Sequence, residues 1–378
     1  MSTPIDTYLR KRGIKGSWEL SPIPFHKFQN IVIIPAYAES EHIGYTLDSL
    51  SQCEVDSFDD IMVVVVVNNE TDAPLHIIDN NQQTLSNLNK RNDPFFVAVI
   101  DASLEGMSIP KKHAGVGMAR KIGMDLALKF ANPETLLYCL DADSLVSPTY
   151  FSEVQSHFKL NDSVAAVVGF LHIKNKNSDL EKAIRQYELF LRNTAMKLKD
   201  AGSPFGYVAM GSTIICRAHA YASIGGMPRR KATEDFYFLQ EFAKFRGVTE
   251  IEAILVYPSS RESERVYLGT GFRMSQAKKG EDLGELAYPN EAFEILKEWL
   301  SIAMGGYTID VNQIMFSVQK LNPLLHDYLL EENINVIWNS LRESSPSEAH
   351  FQKQFHRWFD ALKTHRLLNQ YSTNSSLL

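Results

Sequence analysis

The sequence predicts an α/β fold: an open, mostly parallel, doubly wound sheet flanked by helices, with a helical C-terminal extension. Three observations predict it. Residues 61–67 read IMVVVVV, a β-branched run without polar alternation, which marks a strand buried on both faces as in a parallel sheet. Short apolar runs of this kind alternate with segments whose apolar residues recur at helical spacing. From about residue 290 only the helical pattern persists.

The elements follow in order. Residues 30–34 form a short apolar run stopped by Pro35, the first strand, and a helix is expected over 41–51. The valine run is the second strand, residues 95–100 the third, 136–140 the fourth and 164–170 the fifth. Between the third and fourth lies a helix over 117–130, with Met118, Ile122, Leu126 and Phe130 at helical spacing. Residues 180–199 make an amphipathic helix on the same grounds. Residues 211–216 and 249–257 add two strands, and the tail 371–378 is polar. In such open sheets, ligands bind beyond the carboxyl ends of the strands.

Composition removes several function classes. The 378 residues are 44% hydrophobic and 22% charged, with a formal net charge of −7, so nothing supports general binding to nucleic acid, which demands a basic face. Cys53, Cys139 and Cys216 lie far apart and form neither a zinc pattern nor a disulfide framework, which points to a reducing cytoplasm. The first sixteen residues lack the apolar core of a signal peptide. No apolar run approaches the roughly 18 residues of a membrane span. A soluble substrate is therefore expected, or a chain that meets a membrane only through partners, with no transmembrane segment.

Two acidic pairs carry the chemistry. Asp141-Ala142-Asp143 follows the fourth strand. Alternate positions of extended chain send both carboxylates to one side, and they repel unless a cation or proton lies between them. Mg²⁺ or Mn²⁺ takes one or two carboxylates and completes its shell with phosphate oxygens. The doublet thus suits a metal bridging protein and diphosphate. A solvated turn is the bland alternative, and the position directly after LLYCL favours the metal. The second pair, Glu234-Asp235, follows Thr233 in a helix start where a cap and first-turn acids suffice as explanation. The chemical reading makes one of them a general base toward an acceptor hydroxyl. Before it, Gly225-Gly226 and Arg229-Arg230-Lys231 form a basic loop that can meet a phosphate or carboxylate, or simply be solvated.

Taken together these motifs resemble family 2 of the nucleotide-sugar glycosyltransferases, whose fold is called GT-A. The resemblance spans about residues 28–275. It is carried by Pro35-Ala36-Tyr37-Ala38-Glu39, then Asn68-Asn69, then Gly115, Gly117, Ala119 and Arg120. Asp141-Ala142-Asp143, Gly211-Ser212, Gly225-Gly226 and Glu234-Asp235 complete it. Each motif alone is weak, and their order at successive strand ends is specific. The resemblance implies a hexosyltransferase-type enzyme acting on a nucleotide-diphosphate sugar with Mg²⁺ or Mn²⁺. Pro35, Ala36, Tyr37, Glu39, Asn68 and Asn69 would line the nucleoside pocket. Lys112, Arg120 and Asp141 would face the donor, and Asp143 with Asp141 would hold the metal. Asp235 would be the base, supported by Glu234, and Gly211, Ser212, Arg229 and Arg230 would face the acceptor. The family commonly ends its second strand in an acid, where this chain has Asn68-Asn69, followed by Glu70. Many members also carry a metal-binding His after the base. Here the segment reads SSRESERVYLGTGFRMSQ, so at least one of Arg261, Arg265 and Arg273 is expected on the diphosphate, and Glu262 or Glu264 can complete the metal shell.

The expected organisation is a catalytic domain over 1–280, with a nucleotide-sugar half at about 28–145 and an acceptor half at about 146–280. A helical region over 281–378 follows, which can cap the acceptor cleft, bind a partner or form a homo-oligomer. Trp299 and Trp358 there read as packing residues. The expected reaction is an inverting single displacement. Two rivals come from other classes. A sugar-phosphate nucleotidyltransferase would want a glycine-rich loop after the first strand, and this chain has no glycine there until Gly44. A catalytically silent binding protein on the same fold would not need both acidic pairs.

Overall fold

A computed structural model of the chain describes residues 3–263 and 267–372. The chain divides into two units. One comprises Met1–Lys176 and Ala209–Phe272, the other Asn177–Val208 and Arg273–Leu378.

The first unit is built on one sheet of eight strands: β1 Phe28–Ala36, β2 Ile61–Asn68, β3 Phe96–Ala102, β4 Ala131–Cys139, β5 Leu145–Val146, β6 Ala165–Phe170, β7 Ile214–Arg217 and β8 Thr249–Tyr257. Their order across the sheet is β3-β2-β1-β4-β7-β6-β8-β5. β3, β2, β1 and β4 run parallel, as do β6 and β8. β7 is antiparallel to both its neighbours, and β5 is antiparallel to β8. The sheet is therefore mixed and mostly parallel. All eight residues of β2 are buried, as the unbroken valine run requires. Each valine so buried contributes about 1.5–3 kcal/mol. The order in which strands are added reverses at β1, with β2 and β3 on one side and β4 on the other. Side chains at the carboxyl ends of these strands meet at that switch point.

Several elements differ from the linear reading. Residues 211–213 make a 3₁₀ turn, and the strand begins only at Ile214. Helices Leu75–Leu88 and Tyr150–Leu160 and the two-residue β5 were not expected. The first is rich in Asn and Gln, residues that favour caps and turns, and it buries Asn81 and Thr84 rather than a full apolar stripe.

A helix at Pro4–Lys11, opened by a Thr3–Asp6 capping box, is also new to the structure. The Tyr8 hydroxyl donates to Asp125 at 2.7 Å and accepts from Lys121 at 2.5 Å. Tyr221 and the backbone amide of Ile14 donate to the same Asp125 at 2.7 and 2.8 Å. Gly226, at φ 78°, leaves room for the Tyr8 ring, which a side chain there would overlap.

The second unit is helical. Helix Ser178–Asp200 and the helices from Asn290 onward share one core that includes Ile184, Leu198, Phe293, Trp299, Trp338 and Phe355. Trp299 is fully buried and Trp358 is partly buried against the same core. No helix among the described residues is long and apolar enough to cross a membrane.

Candidate active site

The loop after β1 is held by amides. The backbone N–H of Ala38 donates to Asn81 Oδ1 at 2.9 Å, and that of Ser40 to Asn80 Oδ1 at 3.0 Å. Ala38 sits at φ 55°, a left-handed conformation uncommon for a residue with a Cβ. Asn81 also donates to the Asn68 carbonyl and the Asn69 side chain. Asn68 donates to the carbonyls of Ala36 and Val66, and Asn69 to that of Glu70. Both amide groups therefore spend their donors on the backbone. Pro35 and Ala36 close β1. The Tyr37 hydroxyl donates to Glu70 at 3.2 Å, so the acid at this edge lies two residues beyond the strand end. The linear signal for Glu70 was available. For Asn81 there is none, because the Asn- and Gln-rich helix that carries it lacks a full apolar stripe.

One buried arginine organises the centre. Arg120, in helix Val116–Ala127, pairs with Asp141 Oδ1 at 2.5 Å and through its other terminal nitrogen with Glu234. Its guanidinium packs against Gly211, where even a methyl group would collide with it. Ser212 beside that glycine is buried. Burial opposes the Arg120 charge, but Asp141 and Glu234 more than offset it and hold the group above its ordinary value. The same residues act on the second acidic pair. Burial and then Asp235 push the Glu234 carboxyl up to about 8, against the pull of Arg120. Burial likewise raises Asp235, with Arg120 opposing.

Glu234 and Asp235 open helix Glu234–Phe245. Thr233 stands at the cap position, but its φ is 63° and its hydroxyl bonds the Ala232 carbonyl, so it caps nothing. Asp235 Oδ1 accepts the Phe236 N–H at 2.8 Å. Upstream, Arg229 and Lys231 are exposed, and Arg230 lies 3.5 Å above the Tyr237 ring. Lys112 is exposed and outside these pairings.

A second cluster joins the two other acids. Arg261 Nε lies 2.7 Å from Asp143 Oδ2, and its Nη2 donates to the buried Glu39. Arg265 and Glu264 lie outside the described residues. No group of three or more His, Cys, Asp or Glu side chains arranged for a metal occurs among the described residues. Asp141 and Asp143 nonetheless fit part of a hard-cation shell. Each has one oxygen on an arginine, and the other oxygen has no hydrogen-bond partner among the described residues. Their side chains are 37% and 19% exposed. Two such oxygens are the usual protein share of a site completed by phosphate and water.

Strand-end carboxylates beside a switch point, linked by arginine to acids at a helix start, suit group transfer from an anionic donor. The sequence profile described as Glycosyl transferase family 2 matches residues 31–220. This chain belongs to glycosyl transferase family 2. The family match runs from β1 through β7 and so covers the strand ends that bear Glu39, Asp141 and Asp143. Glu234, Asp235 and Arg261 of this family 2 chain lie beyond it. Among solved structures, TarS 1–349 of S. aureus is similar with a TM-score of 0.45 at 14% identity, covering 91% of this chain and 92% of that one. The same protein in complex with UDP-GlcNAc scores 0.47 at 14% identity, covering 87% and 90%. The mannosyltransferase PcManGT from Pyrobaculum calidifontis, in complex with GDP-Man and Mn²⁺, scores 0.41 at 14% identity, covering 95% of each chain. No curated protein sequence matches the chain.

Proposed function

We propose that this family 2 glycosyltransferase moves a hexose from a nucleoside diphosphate donor to an acceptor hydroxyl by a single inverting displacement, with Asp235 as general base. The observation that carries the reading is the buried Arg120. It ties Asp141, at the donor-side strand end, to Glu234, next to the base. Donor and acceptor chemistry are thereby held within one side chain's reach.

Each group has a task. Tyr37 and Glu70 border the nucleoside side, where a carboxylate can accept a base N–H. Asp141 and Asp143 would hold Mg²⁺ or Mn²⁺, which when bound offsets negative charge on the departing diphosphate. Asp235 takes the acceptor's proton as that oxygen attacks. Its raised affinity for protons makes it a stronger base than an exposed aspartate. Arg120 keeps Glu234 and Asp141 in place. Arg229 and Arg230, on the segment leading to the base, face the acceptor.

A panel of nucleotide sugars with Mn²⁺ tests the reading. Slow release of nucleoside diphosphate is expected; conversion of the nucleotide sugar and added pyrophosphate into nucleoside triphosphate and sugar 1-phosphate would instead indicate a nucleotidyltransferase. Asp235→Asn should lower turnover on the order of 10²–10⁴-fold, while nucleoside diphosphate binding measured by calorimetry stays within about twofold. Turnover equal to the parent's would remove Asp235 from this role.

A further inference from the structure

Arg261 sits where the proposed reaction makes two incompatible demands. That reaction, on which this inference rests, wants Asp143 for a divalent cation and a nearby arginine for the diphosphate. In this chain the two groups are spent on each other. Arg261 Nε holds Asp143 Oδ2 at 2.7 Å, and Nη2 of the same guanidinium is bonded to Glu39. Glu39 is buried, with its side chain only 6% exposed, so it requires a nearby positive charge. One guanidinium thus neutralises two acids from different strand ends. A divalent cation arriving at Asp143 would face this fixed positive charge at close range and lose one of the carboxylate's oxygens to it.

The backbone around Arg261 permits an exchange. The residue follows β8 within residues 258–263, which carry no regular secondary structure. Among the described residues its amide bonds only the Ser259 hydroxyl, at 3.3 Å. The side chain can therefore be re-aimed without breaking a helix or a strand ladder. A diphosphate offers a guanidinium the same paired oxygens that a carboxylate does, with more charge.

We propose that Arg261 is an exchangeable counter-ion: it stays on Glu39 through Nη2 and exchanges its contact with Asp143 for the donor's diphosphate on binding. Asp143 becomes available to the divalent cation only together with the donor. Cation and nucleotide then bind with positive coupling that resides in one side chain. Because coupling is reciprocal, each raises the other's affinity by the same factor.

Mn²⁺ binding to the full chain, followed by the electron paramagnetic resonance of free Mn²⁺, tests this without any turnover. In the absence of nucleotide the parent should bind Mn²⁺ weakly. Arg261→Gln should bind it about tenfold more tightly, within the 5–150-fold range usual for such coupling, and adding UDP or GDP should tighten it further by much less than in the parent. Arg261→Lys retains the charge and should behave as the parent does. Adding Asp143→Asn to Arg261→Gln should abolish the gain. The idea fails if Arg261→Gln binds Mn²⁺ no better than the parent, or if Arg261→Lys gains as much as the glutamine variant. Failure of the parent to bind any nucleoside diphosphate, with the Mn²⁺ gain intact, would sink the transferase reading and the exchange with it, leaving only a competition between Arg261 and the cation for Asp143.

Discussion

Three residues with a side chain adopt a left-handed backbone among those described, and two of them, Ala38 and Thr233, adjoin the candidate site. Such positions cost on the order of 1–3 kcal/mol each and persist only where surroundings over-determine them. Ala38 is held by Asn81, and Thr233 precedes the acid that Arg120 grips. Glu234 itself links site and stability. Its carboxyl is shifted from 4.5 to about 8 by burial and by Asp235. The folded state therefore keeps a proton that the unfolded chain releases near pH 4.5. That contribution is complete below pH 4.5 and is lost as pH rises through about 8. Glu234→Gln cannot ionise, so its denaturation midpoints should fall less than the parent's across that window. An equally steep fall would assign the slope to other groups.

The element scale is governed by how helices are pinned to the sheet. Helix Pro4–Lys11 is fastened through Tyr8 to Lys121 and Asp125, which themselves pair at 2.9 Å. Tyr8→Phe removes a donor from Asp125 and an acceptor from Lys121, both buried. It should destabilise the chain by about 1–3 kcal/mol in urea denaturation, and a value near zero would mean that the network closes without the hydroxyl. Nothing in residues 1–16 announces this. Tyr8 and Asp125 are far apart in sequence, and a lone tyrosine in a polar segment has no pattern to read. The strands were legible because burial on both faces writes itself as an unbroken apolar run, most plainly in β2. The acidic pairs were legible because they stand directly after a strand or at a helix start. Their partners were less so. Arg120 was visible only as part of a motif, and the attachment of Arg261 to Glu39 and Asp143 joins three segments that no local spacing connects. Thr233 shows the opposite limit: its residue type and position indicate a cap, and its backbone refuses one.

At the scale of the whole molecule, the second unit is discontinuous. Helix Ser178–Asp200 buries Ile184, Tyr187 and Leu198 in a core whose members outside it, Ala201 apart, come from residue 274 onward. A chain ending at residue 280 would keep that helix and lose nearly all of its apolar partners. Such a truncation should bind the dye ANS strongly and aggregate, whereas the full chain should not. A monomeric truncation with no dye binding would show that the helix finds other cover.

The same discontinuity bears on how a nascent chain matures. The ribosome releases the apolar face of Ser178–Asp200 first, then the whole of residues 209–272, and only later Phe293 and Trp299. At roughly 5–20 residues per second, that interval lasts several seconds or more. Throughout it the exposed helix is a target for chaperones, and slow translation of the last third of the message would lengthen the exposure.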